Sequence, residues 1–136
     1  MLTMIATLFL QVAATAAPPP DLIEAPDVLA YCRTLLAKSA SDQFNEHAAF
    51  VVRTPEARHY FVPLPSSGRD DLLLWRGRIP KGTVAIVHTH RDMRGAASKL
   101  DVITARRLGI PVYILTARRI VKTDGEVTEV VRKGKW

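Results

Sequence analysis

The sequence predicts a mixed α/β (α+β) domain: a twisted mixed β-sheet flanked by helices. Three observations carry that expectation. A β-branched apolar run at 83–87 is followed, after a loop, by a helical pattern at 98–108 and a second apolar run at 111–116, the order of a strand-helix-strand unit. Two pairs of short runs, 48–53 with 58–64 and 119–122 with 126–132, read as hairpins, the second turned at Asp124-Gly125. Ahead of the first hairpin, Val28, Leu29, Cys32, Leu35 and Leu36 recur at helical spacing.

Taken in order, residues 1–17 are uniformly apolar or small and end in Ala14-Thr15-Ala16, the small-x-small pattern of a signal-peptide cleavage site. The run is shorter than the roughly 20 residues a spanning helix needs, so export with cleavage near Ala16 or Ala17 is expected, leaving no stable membrane span. Pro18-Pro19-Pro20 opens a stiff linker over 18–25, and the domain proper is expected at 26–136. Asp27 after Pro26 is expected to cap a helix at 28–40 with Leu29, Leu35 and Leu36 inward. Residues 39–45 are polar and loop-like, and Glu46 stands at the threshold of the strand 48–53. Residues 54–57 turn the chain into 58–64, a Pro/Ser/Gly loop follows, and the run 71–75 reads as a short strand or an apolar plug. The helix 98–108 offers Leu100, Ile103, Ala105 and Leu108 for an inward face and stops at Gly109-Ile110-Pro111.

With 136 residues the chain suits one domain with a real core, and its 48% hydrophobic and 24% charged residues are ordinary for a globular protein. The net charge of +6 invites a nucleic-acid reading, but the basic residues are scattered and no aromatic-interleaved motif accompanies them, so no nucleic-acid partner is expected. In an exported chain such charge suits anionic envelope polymers or lipids. The single cysteine, Cys32, excludes an intrachain disulfide and falls on the helix's apolar stripe, where a buried, inert thiol is expected.

Chemistry concentrates where the strand 83–88 ends. His88 and His90 flank Thr89, so in a strand they project from one face, roughly 6.5–7 Å apart along the backbone, and their rings can converge on one ion. Seven residues further on, Ser98 and Asp101 stand at i and i+3 in the first turn of the next helix. Two imidazoles and one carboxylate make the N, N, O set a catalytic zinc takes while leaving a position for water. Each feature also has a structural reading: Ser-x-x-Asp as a helix cap, and the His pair as half-buried polar residues.

These residues resemble the signature of the JAMM (JAB/MPN) metallopeptidases: an upstream glutamate, then H-x-H, seven residues, and S-x-x-D. Here His88-Thr89-His90 and Ser98-Lys99-Leu100-Asp101 match without insertion or deletion, and Glu46 is placed as the upstream glutamate. The resemblance covers roughly residues 28–122, and it departs from the family where Arg91 replaces the usual Pro. It implies a three-layer, cytidine deaminase-like fold. It also implies Zn2+ held by His88, His90 and Asp101, Glu46 as general base and later acid, and Ser98 as oxyanion donor. Asp42, Glu56 and Asp92 are rival acids; His47 should point to the strand face opposite Glu46, and His59 is expected to be structural or on the surface.

The expected function is a zinc-dependent peptidase or isopeptidase acting on a peptide or isopeptide-linked protein such as one of the cell envelope. The alternatives are a RadC-like nucleic-acid-associated protein and a non-catalytic metal-binding domain. A RadC-like chain would carry Pro-Ser-Gly after H-x-H, where Arg91-Asp92-Met93 stands here.

Overall fold

The computed structural model describes residues 17–42, 46–64, 78–90 and 95–136. Within them the elements run α1 (Pro26–Ser41), β1 (Ala48–Arg53), β2 (His59–Pro63), β3 (Thr83–Thr89), α2 (Lys99–Leu108), β4 (Val112–Thr116), β5 (Arg119–Thr123) and β6 (Thr128–Lys133), with a single 3-10 turn at Leu22–Glu24 before α1. The strands form one mixed sheet in the order β2-β1-β3-β4-β5-β6. Only β3 and β4 pair in parallel, as the intervening α2 requires; every other neighbour is antiparallel.

Alternation along the strands gives the sheet two buried faces. Ala49, Val51, Ala85, Val87, Tyr113, Leu115 and Ile120 meet Val28, Cys32 and Leu35 of α1. Their neighbours Phe50, Ile86, Val112, Ile114 and Val121 meet Ala105 of α2 on the other side. The central strands are therefore apolar on both faces, which is why 83–87 and 112–115 read as continuous runs.

The antiparallel pairing of β1 with β3 positions the site. It sets Ala48 opposite His88 and Ala49 opposite Val87. Continued outward, that register opposes His47 with Thr89 and Glu46 with His90. Two bonds hold the extension: the Thr89 amide donates to the His47 carbonyl at 2.9 Å, and the His47 amide donates to the Thr89 hydroxyl at 3.0 Å.

Several expectations need correction. α1 begins at Pro26, with Ala25 as a cap that offers no side-chain bond, so Asp27 is not the N-cap. Its carboxylate instead accepts from the amide and the Nδ1 of His59, tying α1 to β2 and making His59 structural. Residues 21–25, expected in the linker, are packed into the domain: Ile23 is fully buried, and Asp21 accepts from the Tyr113 hydroxyl and the Lys122 ammonium, both at 2.7 Å. In α2 the buried stripe is Asp101, Thr104 and Ala105, while Ile103 is 47% exposed, because Asp101 and not the largest apolar residue sets the helix's rotation.

Cys32 lies fully buried in the α1 face, and burial pushes its thiol up to about 12, so it is unreactive at neutral pH. No helix among the described residues is long and apolar enough to cross a membrane. The leader up to Ala16, the run 71–75, Arg91 and Asp92 lie outside the described residues.

Candidate metal centre

The carboxyl end of β3, the residues leading into β1 and the amino end of α2 meet at one point. His88, 2% exposed, is the penultimate residue of β3, and His90 follows two residues later on the same face. Their rings stand edge to face with centroids 4.8 Å apart. Glu46, 8% exposed, arrives from the start of β1, and ligand atoms of Glu46, His88 and His90 all lie within 4.8 Å of one another. Those three residues are close enough to bind one metal ion.

Asp101 completes the cluster. It is fully buried, with Oδ1 2.8 Å from His88 Nε2 and Oδ2 3.5 Å from His90 Nε2. A tetrahedral ion with bonds of about 2.0–2.1 Å would separate neighbouring ligand atoms by roughly 3.3 Å, so the two observed spacings bracket that value. Despite the 2.8 Å approach, His88 Nε2 and Asp101 Oδ1 are not aligned as a hydrogen bond, and neither atom has another partner among the described residues. Leaving two buried polar atoms unmatched costs about 1–3 kcal/mol each. A cation accepting both lone pairs removes that cost, provided the imidazole is neutral and the carboxyl ionised.

The electrostatics favour that carboxylate. Burial by itself would push the Asp101 carboxyl up, but the imidazoles of His88 and His90 and the Ser98 amide outweigh it and hold the group well below the usual carboxylate range. The other nitrogen of His88, Nδ1, is buried without a hydrogen-bond partner among the described residues, so none of these fixes the tautomer that ligation through Nε2 requires.

Ser98 serves as the cap of α2. Its hydroxyl accepts from the Asp101 amide at 3.1 Å, and the Ser98 amide donates to Asp101 Oδ2 at 2.7 Å, a reciprocal capping box. The structural reading of Ser-x-x-Asp therefore holds, and it leaves Asp101 Oδ1 facing His88 while the hydroxyl proton of Ser98 is not consumed by the cap. Ser98 itself is exposed at the lip of the cluster.

Of the sequence-predicted residues, Glu46, His88, His90 and Asp101 come together, with Ser98 beside them. Glu56 is exposed in the turn between β1 and β2, at the opposite end of β1. Asp42 lies 3.3 Å from His47, whose side chain takes the face opposite Glu46 as strand alternation requires. Sequence reasoning missed Thr89, assigned to packing: its backbone and hydroxyl clamp His47 and so hold Glu46 in register with the imidazoles. Only strand pairing reveals that role, since 42 residues separate the two partners.

No protein-family model matches the chain, and neither does any curated protein or solved structure.

Proposed function

We propose that this domain is a zinc-dependent amide hydrolase of JAMM type, a peptidase or isopeptidase, with His88, His90 and Asp101 holding the ion. What supports the reading most is the meeting of Glu46 with both imidazoles inside 4.8 Å while the buried Asp101 carboxylate lies 2.8 Å from His88 without hydrogen-bond alignment. The motif spacing and its resemblance to the JAMM signature add the assignment of roles.

Bound there, zinc supplies Lewis acidity that lowers the pKa of a water from 15.7 toward about 7. Glu46 would take a proton from the attacking water as general base and return it to the leaving nitrogen. The Ser98 hydroxyl donates to the oxyanion of the tetrahedral intermediate, a contribution of about 3 kcal/mol. Asp101 anchors the ligand set to α2 through the capping box. The leader makes an exported setting and a peptide of the cell envelope the substrate of this reading.

A second reading rests on the proximity of Glu46 to both imidazoles: Glu46 is itself a ligand and Asp101 orients His88. One variant separates the two. In Glu46→Gln the base reading expects undiminished zinc by mass spectrometry and hydrolysis of a peptide library reduced by about 10²–10⁴. The ligand reading expects zinc to be lost along with hydrolysis. Wild-type protein that hydrolyses peptides equally well without zinc would sink both.

A further inference from the structure

A second recess lies on the other side of the Glu46-His47 peptide. It is a pocket of about 230 Å³ between α1 and the ends of β1 and β2. Tyr31 and Leu35 wall it from α1, Ala48 and Leu64 from the sheet, and Thr34, Lys38 and His47 supply its polar groups. Tyr31 is held flat by stacking on Phe61, with centroids 3.9 Å apart and planes 4° off parallel. Leu35 belongs to the α1-facing core and Ala48 and Leu64 to the α2-facing one, so the pocket wraps around the end of the sheet at which Glu46 enters the metal cluster.

We infer that this pocket is a binding site for one compact amphipathic group, an apolar body carrying a single carbonyl-type acceptor, and that it receives a residue of the substrate chain around the sheet end from the metal cluster. His47 provides the independent sign of a ligand. Its side chain is nine-tenths buried, and its Nε2 has no hydrogen-bond partner among the described residues; Asp42 Oδ2 stands 3.3 Å away but out of line. A carbonyl oxygen entering the pocket would satisfy that nitrogen as acceptor, with the Lys38 ammonium as a second donor. Size limits the occupant: 230 Å³ exceeds the roughly 150 Å³ cavity that admits benzene. It falls short of the roughly 300 Å³ at which pockets for drug-sized ligands begin. A single amino-acid side chain with its adjoining carbonyl fits between these bounds. His47 and Glu46 are consecutive but face opposite sides of the sheet, so a residue held in the pocket sits across the sheet end from the proposed bond-cleaving centre, one peptide unit away along the backbone. Delivery to that centre rests on the hydrolase reading; occupancy of the pocket does not.

The test is an NMR titration of the full chain with N-acetyl-leucine amide and, separately, N-acetyl-leucine. Saturable shifts are expected at Thr34, His47 and Leu64, with a dissociation constant on the order of 1 mM for so small a probe. Thr34 is exposed at the rim, so Thr34→Trp should block the pocket without disturbing the core, weakening both probes at least tenfold while zinc content stays unchanged. Lys38→Gln, which removes the ammonium without adding an opposing charge, should weaken the acid more than the amide if the ammonium meets a chain-terminal carboxylate, and both equally if it meets only an internal carbonyl. Absence of saturable shifts at these residues, or shifts that survive both variants, would overturn the inference while leaving zinc-dependent hydrolysis, measured in parallel, to stand or fall on its own.

Discussion

Ser98 does two things with one oxygen. As the cap of α2 it accepts the Asp101 amide, and in the proposed chemistry it donates its proton to an oxyanion. Two substitutions divide these roles, because a glycine cap costs only a few tenths of a kcal/mol where alanine costs about 1 kcal/mol. Ser98→Gly should thus unfold in urea almost with the wild type and Ser98→Ala measurably earlier, while both lose about 10²–10³ in kcat through the missing hydroxyl. A Ser98→Gly variant with undiminished hydrolysis would confine Ser98 to capping. The pair also shows what the sequence disclosed at this scale. The identities and spacing of His88, His90, Ser98 and Asp101 were legible because each lies within one strand-helix unit, where local periodicity fixes the facing. Thr89 was not, because its partner His47 is reached only through the β1–β3 register.

At the scale of elements, α2 is seated by polar groups at both ends. Asp101 fixes its first turn against the imidazoles, and near its other end Arg106 donates to the Gly125 carbonyl at 2.7 Å. Gly125 turns β5 into β6 with φ 95°, and a Cβ there would stand 2.7 Å from the Arg106 backbone nitrogen. Gly134 has a comparable φ of 80° but open space around it. Gly134→Ala therefore adds only the cost of a left-handed alanine, about 1–2 kcal/mol. Gly125→Ala adds the same strain and also forces the hairpin away from α2, so its urea midpoint should fall clearly further; equal midpoints would mean that the contact contributes nothing. The Asp124-Gly125 pair announced the turn in the sequence. It could not announce that the turn packs on α2, nor that Ile103 would be left outside, since both follow from where Asp101 is held. Helix periodicity ranks positions by apolarity and so gives Ile103 to the core; a buried carboxylate tied to two imidazoles overrides that ranking.

Across the whole molecule, one acidic residue joins the segment before α1 to strands β4 and β5 of the sheet. Asp21 holds the 3-10 turn by accepting from the Ile23 amide and also accepts from Tyr113 of β4 and Lys122 of β5. Burial alone would raise its carboxyl, but Lys122, the Ile23 amide and the Tyr113 hydroxyl together hold it below the ordinary value near 3.8. A carboxyl depressed in the folded state contributes stability that is fully present above that value and is lost as pH falls through the lower folded one. Asp21→Asn should accordingly cost about 1–3 kcal/mol in urea unfolding at pH 7 and progressively less below pH 4. A cost that stays constant down to pH 2 would assign it to packing alone. This tie was invisible in the sequence, where Asp21 sits beside a proline triplet and reads as linker; 92 and 101 residues separate it from Tyr113 and Lys122.

The same global view yields a test of the metal centre that does not depend on finding a substrate. Glu46, His88 and Asp101 are buried and come from three separate elements, so the unfolded chain cannot present them together. An ion that binds only the folded chain stabilises it by about 2.7 kcal/mol when its concentration is a hundred times the dissociation constant. For a domain of this size each kcal/mol raises the melting temperature by roughly 3–5 °C. Saturating zinc should therefore raise the Tm by about 8–14 °C over protein held in chelator. Asp101→Asn keeps an oxygen for the Ser98 amide, and its backbone amide still donates to the Ser98 hydroxyl, so the capping box is retained while the charge that faces His88 is removed. Its Tm in chelator should stay near that of the wild type, or rise where relief of the buried charge outweighs the lost pairing, and its zinc-induced shift should collapse. A zinc shift that persists undiminished in Asp101→Asn would remove Asp101 from the ligand set and leave the ion to Glu46, His88 and His90, making the 2.8 Å approach of Asp101 to His88 a matter of helix seating.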